Sequence, residues 1–400
     1  MAKKAPKKTD EKGAKRLKKV GPVTEVTKSR HISDTDRFLL WGRAAGRCEF
    51  AGCNREVWKN PTTQEPVNIA EAAHIYSFSD DGPRGNKGIA EDDLNRVDNL
   101  MLACHDCHKT MDRKNDGGRY TVELLKEWKF AHEKRVEVVT GVDPKKSSHV
   151  LLYGAAIGED GSHLNYSEAA HALFPERYPA EARPIGLGMK ETSDKDKEKD
   201  YWKTQSKHLK KTFDRKVRER IESGEISHLS VFGLAPQPLL IQLGTELIDI
   251  ISADVFQRHR EPPTWKWPDG VSPLQFDVIR PDSFDGPPAL VIALTANVTA
   301  DRITSVLGEN AAIWSISIPN PNNDHIKCRE DLSNFRKLVR PLLDEIKARH
   351  GQDEPLHIFP VAGNSVSIEL GRIRQPKALM PWKLYDQIPE QGFVHVLDIN

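Results

Sequence analysis

Residues 98–112 read D-N-L-M-L-A-C-H-D-C-H-K-T-M-D. An apolar run leads straight into Cys104-x-x-Cys107, and His108 follows the second thiol. Upstream, R-C-E-F-A-G-C supplies Cys48 and Cys53, and E-A-A-H-I supplies His74. Four thiolates in two short-spaced pairs suit a tetrahedral zinc site that closes a fold with little core of its own. Zinc is therefore expected on Cys48, Cys53, Cys104 and Cys107. The fifth cysteine, Cys328, stands apart and reads as an ordinary small side chain. With the other four in two clusters, the pattern favours metal over disulfides and a reducing compartment.

The chain has 400 residues, 38% hydrophobic and 29% charged, which describes a soluble globular protein too long for one ordinary core. No run of about 18 apolar residues occurs, so no membrane span is expected. The basic N-terminus lacks the apolar segment of a secretory signal. The formal net charge of +1 hides an asymmetry: residues 1–30 hold eleven Lys or Arg against Asp10, Glu11 and Glu25. This stretch is expected to be a disordered arm, either a nucleic-acid-binding tail or a solvated one.

A first helix is expected after Ser33 or Asp34, and Thr121 caps a second with Leu124, Leu125, Trp128 and Ala131 on one face. Residues 31–143 then form one domain and 144–148 a linker. From 149 to 400 short apolar runs (149–158, 228–235, 247–253, 289–296, 313–318, 357–362) alternate with helical stretches (202–223, 329–350). That alternation predicts an α/β domain with mostly parallel strands, its parts before and after about residue 270 readable as related halves. The segment 190–200 is a charged surface loop.

Hydrolysis of a phosphodiester needs a base for water, a divalent cation for developing charge, and a group that fixes the base. His74, His108 and Asn99 are the residue types for these roles. Joining His108 to a zinc thiolate at Cys107 makes the site rigid. The same residues also fit a zinc module that only binds nucleic acid. Arg84, Lys87, Arg96, Lys109 and Arg113 surround the motif as candidate phosphate contacts or plain solvated surface. No element reads base edges, so cleavage without sequence preference is expected.

The segment 40–115, with A-A-H-I and then D-N-L-M-L-A-C-H-D-C-H-K-T-M-D, resembles the HNH endonucleases of the ββα-metal fold. The resemblance implies a catalytic site in which His74 activates water, Asn99 is structural or orients the base, and His108 binds a catalytic Mg²⁺ or similar divalent metal. Ala73 stands where many members carry a second ligand, leaving Glu71 or water for that role. Residues 149–400, notably Q-L-G-T-E-L-I-D-I-I-S-A-D-V-F-Q-R-H-R-E-P-P-T-W-K-W-P and H-I-F-P-V-A-G-N-S-V-S-I-E-L-G-R-I-R-Q-P-K-A-L-M-P-W-K-L-Y-D, resemble the SAVED domain. That implies two fused CARF-type, Rossmann-like halves binding a cyclic di- or trinucleotide.

For that ligand, Trp265 and Trp267 offer stacking faces beside Lys266, and Arg258 (with Arg260) a phosphate partner. Gly363, Asn364 and Ser365 form a turn after a strand whose N–H groups suit phosphate, and Lys383 and Tyr385 close the pocket. Together the resemblances imply a bacterial, cytoplasmic effector of cyclic-oligonucleotide antiphage signalling (CBASS). It would degrade double-stranded DNA as a dimer or tetramer. The alternative is a modification-dependent HNH restriction endonuclease that no nucleotide gates.

Overall fold

The structure, a computed structural model, describes residues 30–113, 118–156, 164–189, 199–247, 251–376 and 378–400. The expected basic arm, apart from Arg30, and the charged loop at 190–198 lie outside the described residues. The chain forms two compact units, Met1–Glu137 and Val138–Asn400. Among the described residues no helix is long and apolar enough to cross a membrane.

The first unit begins with α1 (Asp34–Arg43). Ser33 caps it by accepting from Asp36 N at 3.0 Å, and Asp36 Oδ1 in turn accepts from Val97 N at 3.0 Å. A side-chain cap of this kind satisfies a helix-end N–H that has no partner within the helix. Strand β1 (Ala70–His74) follows, then α2 (Glu91–Leu94), β2 (Leu100–Cys104), α3 (His105–Met111) and α4 (Val122–Thr140). β1 and β2 pair antiparallel, with His74 opposite Leu100 and Ala70 opposite Cys104. β2 is buried at every position, as its sequence L-M-L-A-C requires, and α3 continues from it without a loop. The result is a ββα unit on a small core of Leu40, Val57, Ile75, Leu100, Met111 and Leu125, among others.

The second unit holds two sheets. The first collects β3 (Ser147–Gly154), β4 (Tyr178–Pro179), β5 (Ile185–Gly186), β6 (His228–Leu234) and β7 (Ser252–Phe256), all paired parallel. Helices α5 (Tyr166–Ala172), α6 (Lys199–Phe213), α7 (Glu219–Glu222) and α8 (Gln237–Leu247) belong to this half. A small hairpin, β8 (His259–Arg260) with β9 (Pro263–Thr264), precedes the second sheet. That sheet adds β10 (Asp277–Ile279), β11 (Pro288–Ala293), β12 (Ala312–Ser317), β13 (Leu356–Val361), β14 (Trp382–Ile388) and β15 (Gly392–Ile399). Its order is β10-β12-β11-β13-β14-β15, parallel in the middle and antiparallel at both edges. Its helices are α9 (Asp301–Leu307), α10 (Arg329–His350) and α11 (Asn364–Ile373).

Two local expectations shift. Ser147 and Ser148, read as linker, open β3: Ser148 is fully buried, its Oγ 2.8 Å from both His228 Nδ1 and Ser230 Oγ. The apolar run at 247–253, read as one strand, divides between the end of α8 and the start of β7, with 248–250 outside the described residues. A helix buried on nearly every side shows no period that separates it from a buried strand.

The two halves repeat a motif. A-P-Q-P-L-L-I-Q-L-G (235–244) follows β6, and A-G-N-S-V-S-I-E-L-G (362–371) follows β13. In both, the strand ends, a short turn follows, and a helix starts at Gln237 or Asn364. α8 and α11 pack against each other through these equivalent residues.

Candidate functional site

The four cysteines meet. Cys48 and Cys53 lie in the turn after α1, where Cys48 N donates to Arg55 O and Cys53 N to Phe50 O. Cys104 ends β2 and Cys107 sits in the first turn of α3. Their Sγ atoms all lie within 4.8 Å of one another, with Cys53 and Cys104 at 3.9 Å. A tetrahedral zinc with Zn–S bonds of about 2.3 Å needs sulfurs about 3.8 Å apart, so the donor set fits that ion. Burial pushes the Cys48 thiol up to about 12 and also raises Cys107. A bound cation would hold such thiols as thiolates against the cost of burial.

One face of the ββα unit carries a cavity of about 370 Å³, lined by Arg30, Glu71, His74, Phe78, His108 and Asp112 among others. His74, the last residue of β1, sets its Nε2 3.0 Å from Asn95 Oδ1. With an acceptor oxygen there, Nε2 carries the proton and Nδ1 is the basic nitrogen. Burial holds the ring below the ordinary histidine pKa, so it is neutral near pH 7.

Asn99 acts elsewhere. Its Oδ1 accepts from Tyr76 N (2.8 Å), and its Nδ2 donates to Tyr76 O and Leu94 O. It staples the chain just after His74, and Asn95 is the amide that touches the ring. The sequence reading did not single out Asn95.

His108 sits on α3 with Nε2 3.1 Å from Asp112 Oδ2. That bond raises the His108 pKa. Burial alone would raise Asp112, but bonds to His108 and Arg84 hold it below the usual carboxylate range. Asp112 is the second residue the sequence reading passed over. Its signal was the i, i+4 spacing of H-K-T-M-D on a helix, which stacks the two side chains on one face. Ala73 is fully buried in the core, on the other face of β1. Glu71 lines the cavity with Oε1 3.3 Å from His105 Nδ1. An imidazole beside one carboxylate, with a second carboxylate on the same wall, is a donor set that fits a divalent cation.

Among the basic residues, Lys109 and Arg113 are exposed, Lys87 lies over the Tyr76 ring, and Arg96 reaches Asp36 at 3.7 Å. Arg84 is different. Its side chain is 5% exposed and donates only to protein acceptors, so it is no phosphate contact.

In the second unit a cavity of about 350 Å³ opens at the carboxyl ends of β6 and β13, where open α/β sheets take ligands. Gln237 and Asn364, the equivalent residues of the repeat, both line it, and each side chain crosses to the opposite half. Asn364 Nδ2 donates to Gly233 O at 3.1 Å, and Gln237 Oε1 accepts from Ala362 N at 3.0 Å. Arg258, Arg260 and Gly363 also line it, with Asp386 and Gln387 from β14.

Of the expected ligand contacts, Arg258, Gly363 and Asn364 thus come together here, Arg258 pairing with Glu168 and lying over Trp265. Ser365 is fully buried behind the wall, its Oγ donating to Gln257 Oε1 at 2.7 Å. Trp265 is buried edge-on against Phe232. Lys266 and Trp267 line a separate, more apolar cavity of about 680 Å³ beside His259, Pro262 and Lys327. Tyr385 stacks on Phe359 in the core and bonds His357. Lys383 stands on β14 opposite His357 and Asp398.

Comparison with known families covers segments of both units. Residues 48–115, which span both cysteine pairs, His74, Asn99, His108 and Asp112, match the HNH endonuclease family. Residues 209–399 match the SAVED family, the SMODS-associated and fused to various effectors sensor domain. The chain joins an HNH endonuclease domain to a SAVED sensor domain. No curated protein matches it.

Among solved structures this HNH–SAVED chain is similar to the Acinetobacter baumannii Cap4 SAVED/CARF-domain containing receptor with the cyclic trinucleotide 2'3'3'-cAAA. The identity is 13% and the TM-score 0.41, over 69% of this chain and 56% of that one. The same receptor with 3'3'3'-cAAA gives 12% and 0.42 over the same shares. The Moraxella osloensis Cap4 SAVED/CARF-domain containing receptor gives 12% and 0.36, over 79% and 71%. The chain thus spans little more than half the length of the first of these relatives.

Proposed function

We propose that this protein is a metal-dependent DNA endonuclease switched on by a cyclic oligonucleotide, and that it acts in bacterial antiphage defence. The observation that carries the nuclease half is the single cavity shared by His74, His108 and Asp112 on a ββα scaffold. His74 Nδ1 takes a proton from the attacking water. Asn95 fixes the ring and its tautomer, and Asn99 fixes the backbone behind it. His108 and Asp112, with Glu71 nearby, would hold Mg²⁺ or a similar cation. That ion supplies Lewis-acid stabilisation of the phosphoryl charge. Cleavage of duplex DNA with little sequence preference is part of this reading.

The sensor half rests on the SAVED match and on the polar cavity between the repeated turns. Arg258 and Arg260 are its cations, and Gly363, Asn364 and Gln237 bring backbone and amide groups to it. A cyclic di- or trinucleotide, with anionic linkages and hydrogen-bonding bases, fits that chemistry. One active site cuts one strand at a time, so a concerted double-strand break calls for a pair of chains, and ligand-driven self-association is the expected switch.

The test is plasmid cleavage with Mg²⁺, with and without a panel of cyclic di- and trinucleotides, for the wild type and His74→Ala. Cleavage that needs one nucleotide and disappears in the variant supports both halves. Cleavage that ignores every nucleotide and prefers methylated DNA overturns the sensor half in favour of a modification-dependent restriction enzyme. Wild-type activity retained by His74→Ala overturns the assignment of the base.

A further inference from the structure

Arg84 sits at a node of the nuclease unit. It follows Gly82 and Pro83 in the loop after β1, where a Cβ on Gly82 would run into the Ser77 side chain, so only glycine lets the loop fold in this closely. Ser77 Oγ accepts from Arg84 N at 3.2 Å and holds the turn. From there the guanidinium makes four hydrogen bonds. Nε donates to Ile75 O at 2.6 Å, Nη1 to Met111 O at 2.7 Å, and Nη2 to His74 O at 3.0 Å and to Asp112 Oδ1 at 2.6 Å.

These four acceptors belong to the two parts of the active site that must stay in register. His74 and Ile75 are the end of the strand that carries the base. Met111 and Asp112 are the end of the helix that carries His108. Asp112 divides its oxygens, Oδ1 to Arg84 and Oδ2 to His108. A planar guanidinium serves several directions at once from a rigid fork, which a lysine ammonium does not reproduce.

We propose that Arg84 is a positioning residue that fixes the base-bearing strand and the metal-binding end of α3 relative to each other. This rests on the nuclease reading above. Arg84 touches neither substrate nor the reacting atoms in this role. It sets where Asp112 and His74 stand. Partners that orient metal ligands in this way are typically worth 10- to 100-fold in metal affinity or activity.

The experiment uses the full-length, zinc-loaded protein and two readouts. The first is Mn²⁺ binding, followed by the electron paramagnetic resonance of free Mn²⁺, with His108→Ala marking the site. The second is kcat and KM for plasmid cleavage with the activating nucleotide. Arg84→Lys is expected to weaken the His108-dependent Mn²⁺ site about 10-fold or more and to lower kcat about 10- to 100-fold, leaving KM within about 2-fold. Arg84→Ala, if it folds, should regain part of both on addition of methylguanidine. If it does not fold, the lysine variant alone decides. Unchanged Mn²⁺ affinity in Arg84→Lys overturns the proposal, as does a loss confined to KM, which would mark a phosphate contact. A wild type that binds Mn²⁺ through His108 but cleaves no DNA with any nucleotide defeats the nuclease reading, while the Mn²⁺ comparison still decides Arg84. A wild type with no His108-dependent Mn²⁺ site overturns both.

Discussion

Gly244 and Gly371 stand back to back where α8 crosses α11. A Cβ on Gly244 would collide with Ile368 O and stand 2.8 Å from Gly371 Cα. One on Gly371 would collide with Ile241 O and stand 2.8 Å from Gly244 Cα. The contacts are reciprocal because both residues close the same repeated motif, ten residues in A-x-[QN]-x-x-x-I-[QE]-L-G form. The two halves of the sensor domain are thus joined backbone to backbone along the same two helices whose first residues, Gln237 and Asn364, line the cavity.

This contact inverts an ordinary rule. Gly→Ala within a helix normally stabilises by about 1 kcal/mol. Here Gly371→Ala must push two helices apart, and overpacking of this kind costs about 1–3 kcal/mol or more. The expected outcome is a melting temperature lower by about 3 °C or more, with weaker nucleotide binding because the cavity walls move with the helices. Differential scanning fluorimetry and calorimetric titration check both. An alanine variant that melts at or above the wild-type temperature contradicts the geometry.

The zinc assignment makes a sharper demand. Cys107 and His108 are adjacent, and Cys104 is hydrogen-bonded through its N–H to Cys48 Sγ at 3.3 Å. Losing one thiolate therefore unlocks α3 as well as the zinc knot. Cys104→Ser should drop bound zinc from about one ion per chain toward none and abolish cleavage, and it should leave nucleotide binding by the second unit in place. Metal content by inductively coupled plasma spectrometry, with titration of the nucleotide, reads these separately. A metal-free wild type that keeps full activity would be fatal to a structural zinc.

For the sensor cavity, Arg260 and Arg258 make different predictions. Arg258 is already paired with Glu168 at 2.8 Å, and Arg260 is an exposed residue whose backbone N–H is held by Asp324 Oδ1. Arg260→Glu replaces an attractive charge at the cavity with a repulsive one. Affinity for the activating nucleotide should fall about 10-fold or more, and the loss should shrink as salt screens it. Cleavage at saturating nucleotide should recover. Unchanged affinity would place the phosphates elsewhere.

What the sequence reveals depends on whether a residue's role is local. The two cysteine pairs, His74 and His108 have spacings set by one hairpin and one helix, so their meeting is legible from the chain. Asp112 was legible too, as the fourth residue after His108, but its meaning lies in the helical spacing and not in a motif position. Asn95 and Arg84 are different. Their partners are brought by the loop between β1 and β2, whose path is set by turns and packing that no periodicity records. In the second unit the strands at 228–234 and 356–361 stood out as apolar runs, while α8 did not, because a helix buried on nearly every face loses its amphipathic stripe. Trp265 and Trp267 looked alike in W-K-W. Strict alternation would put both on one face, but the chain bends at 265–266, and Trp265 packs into the core beside Phe232 while Trp267 stands beside a different cavity.

The pH dependence of cleavage tests the base directly. His74 must be neutral to accept a proton, and burial holds its pKa below the usual 6.5, with the Asn95 bond opposing that shift. The activity is therefore lost as pH falls through a value below 6.5, and it is flat from there through neutrality. The pKa of His108 is shifted the other way by Asp112. A proton on His108 competes with the metal, so any limb it causes moves to lower pH as Mg²⁺ is raised. The limb set by His74 stays where it is. Measured as kcat/KM at saturating Mg²⁺, the wild type should show one acid limb below pH 6.5 that further Mg²⁺ does not shift. Asn95→Ala should lower the plateau about 10-fold or more, since the ring loses the acceptor that fixes its tautomer. It should also move the limb further down, because the bond that favoured the protonated ring is gone. A limb above pH 6.5, or one that follows the Mg²⁺ concentration throughout, would take the base role away from His74.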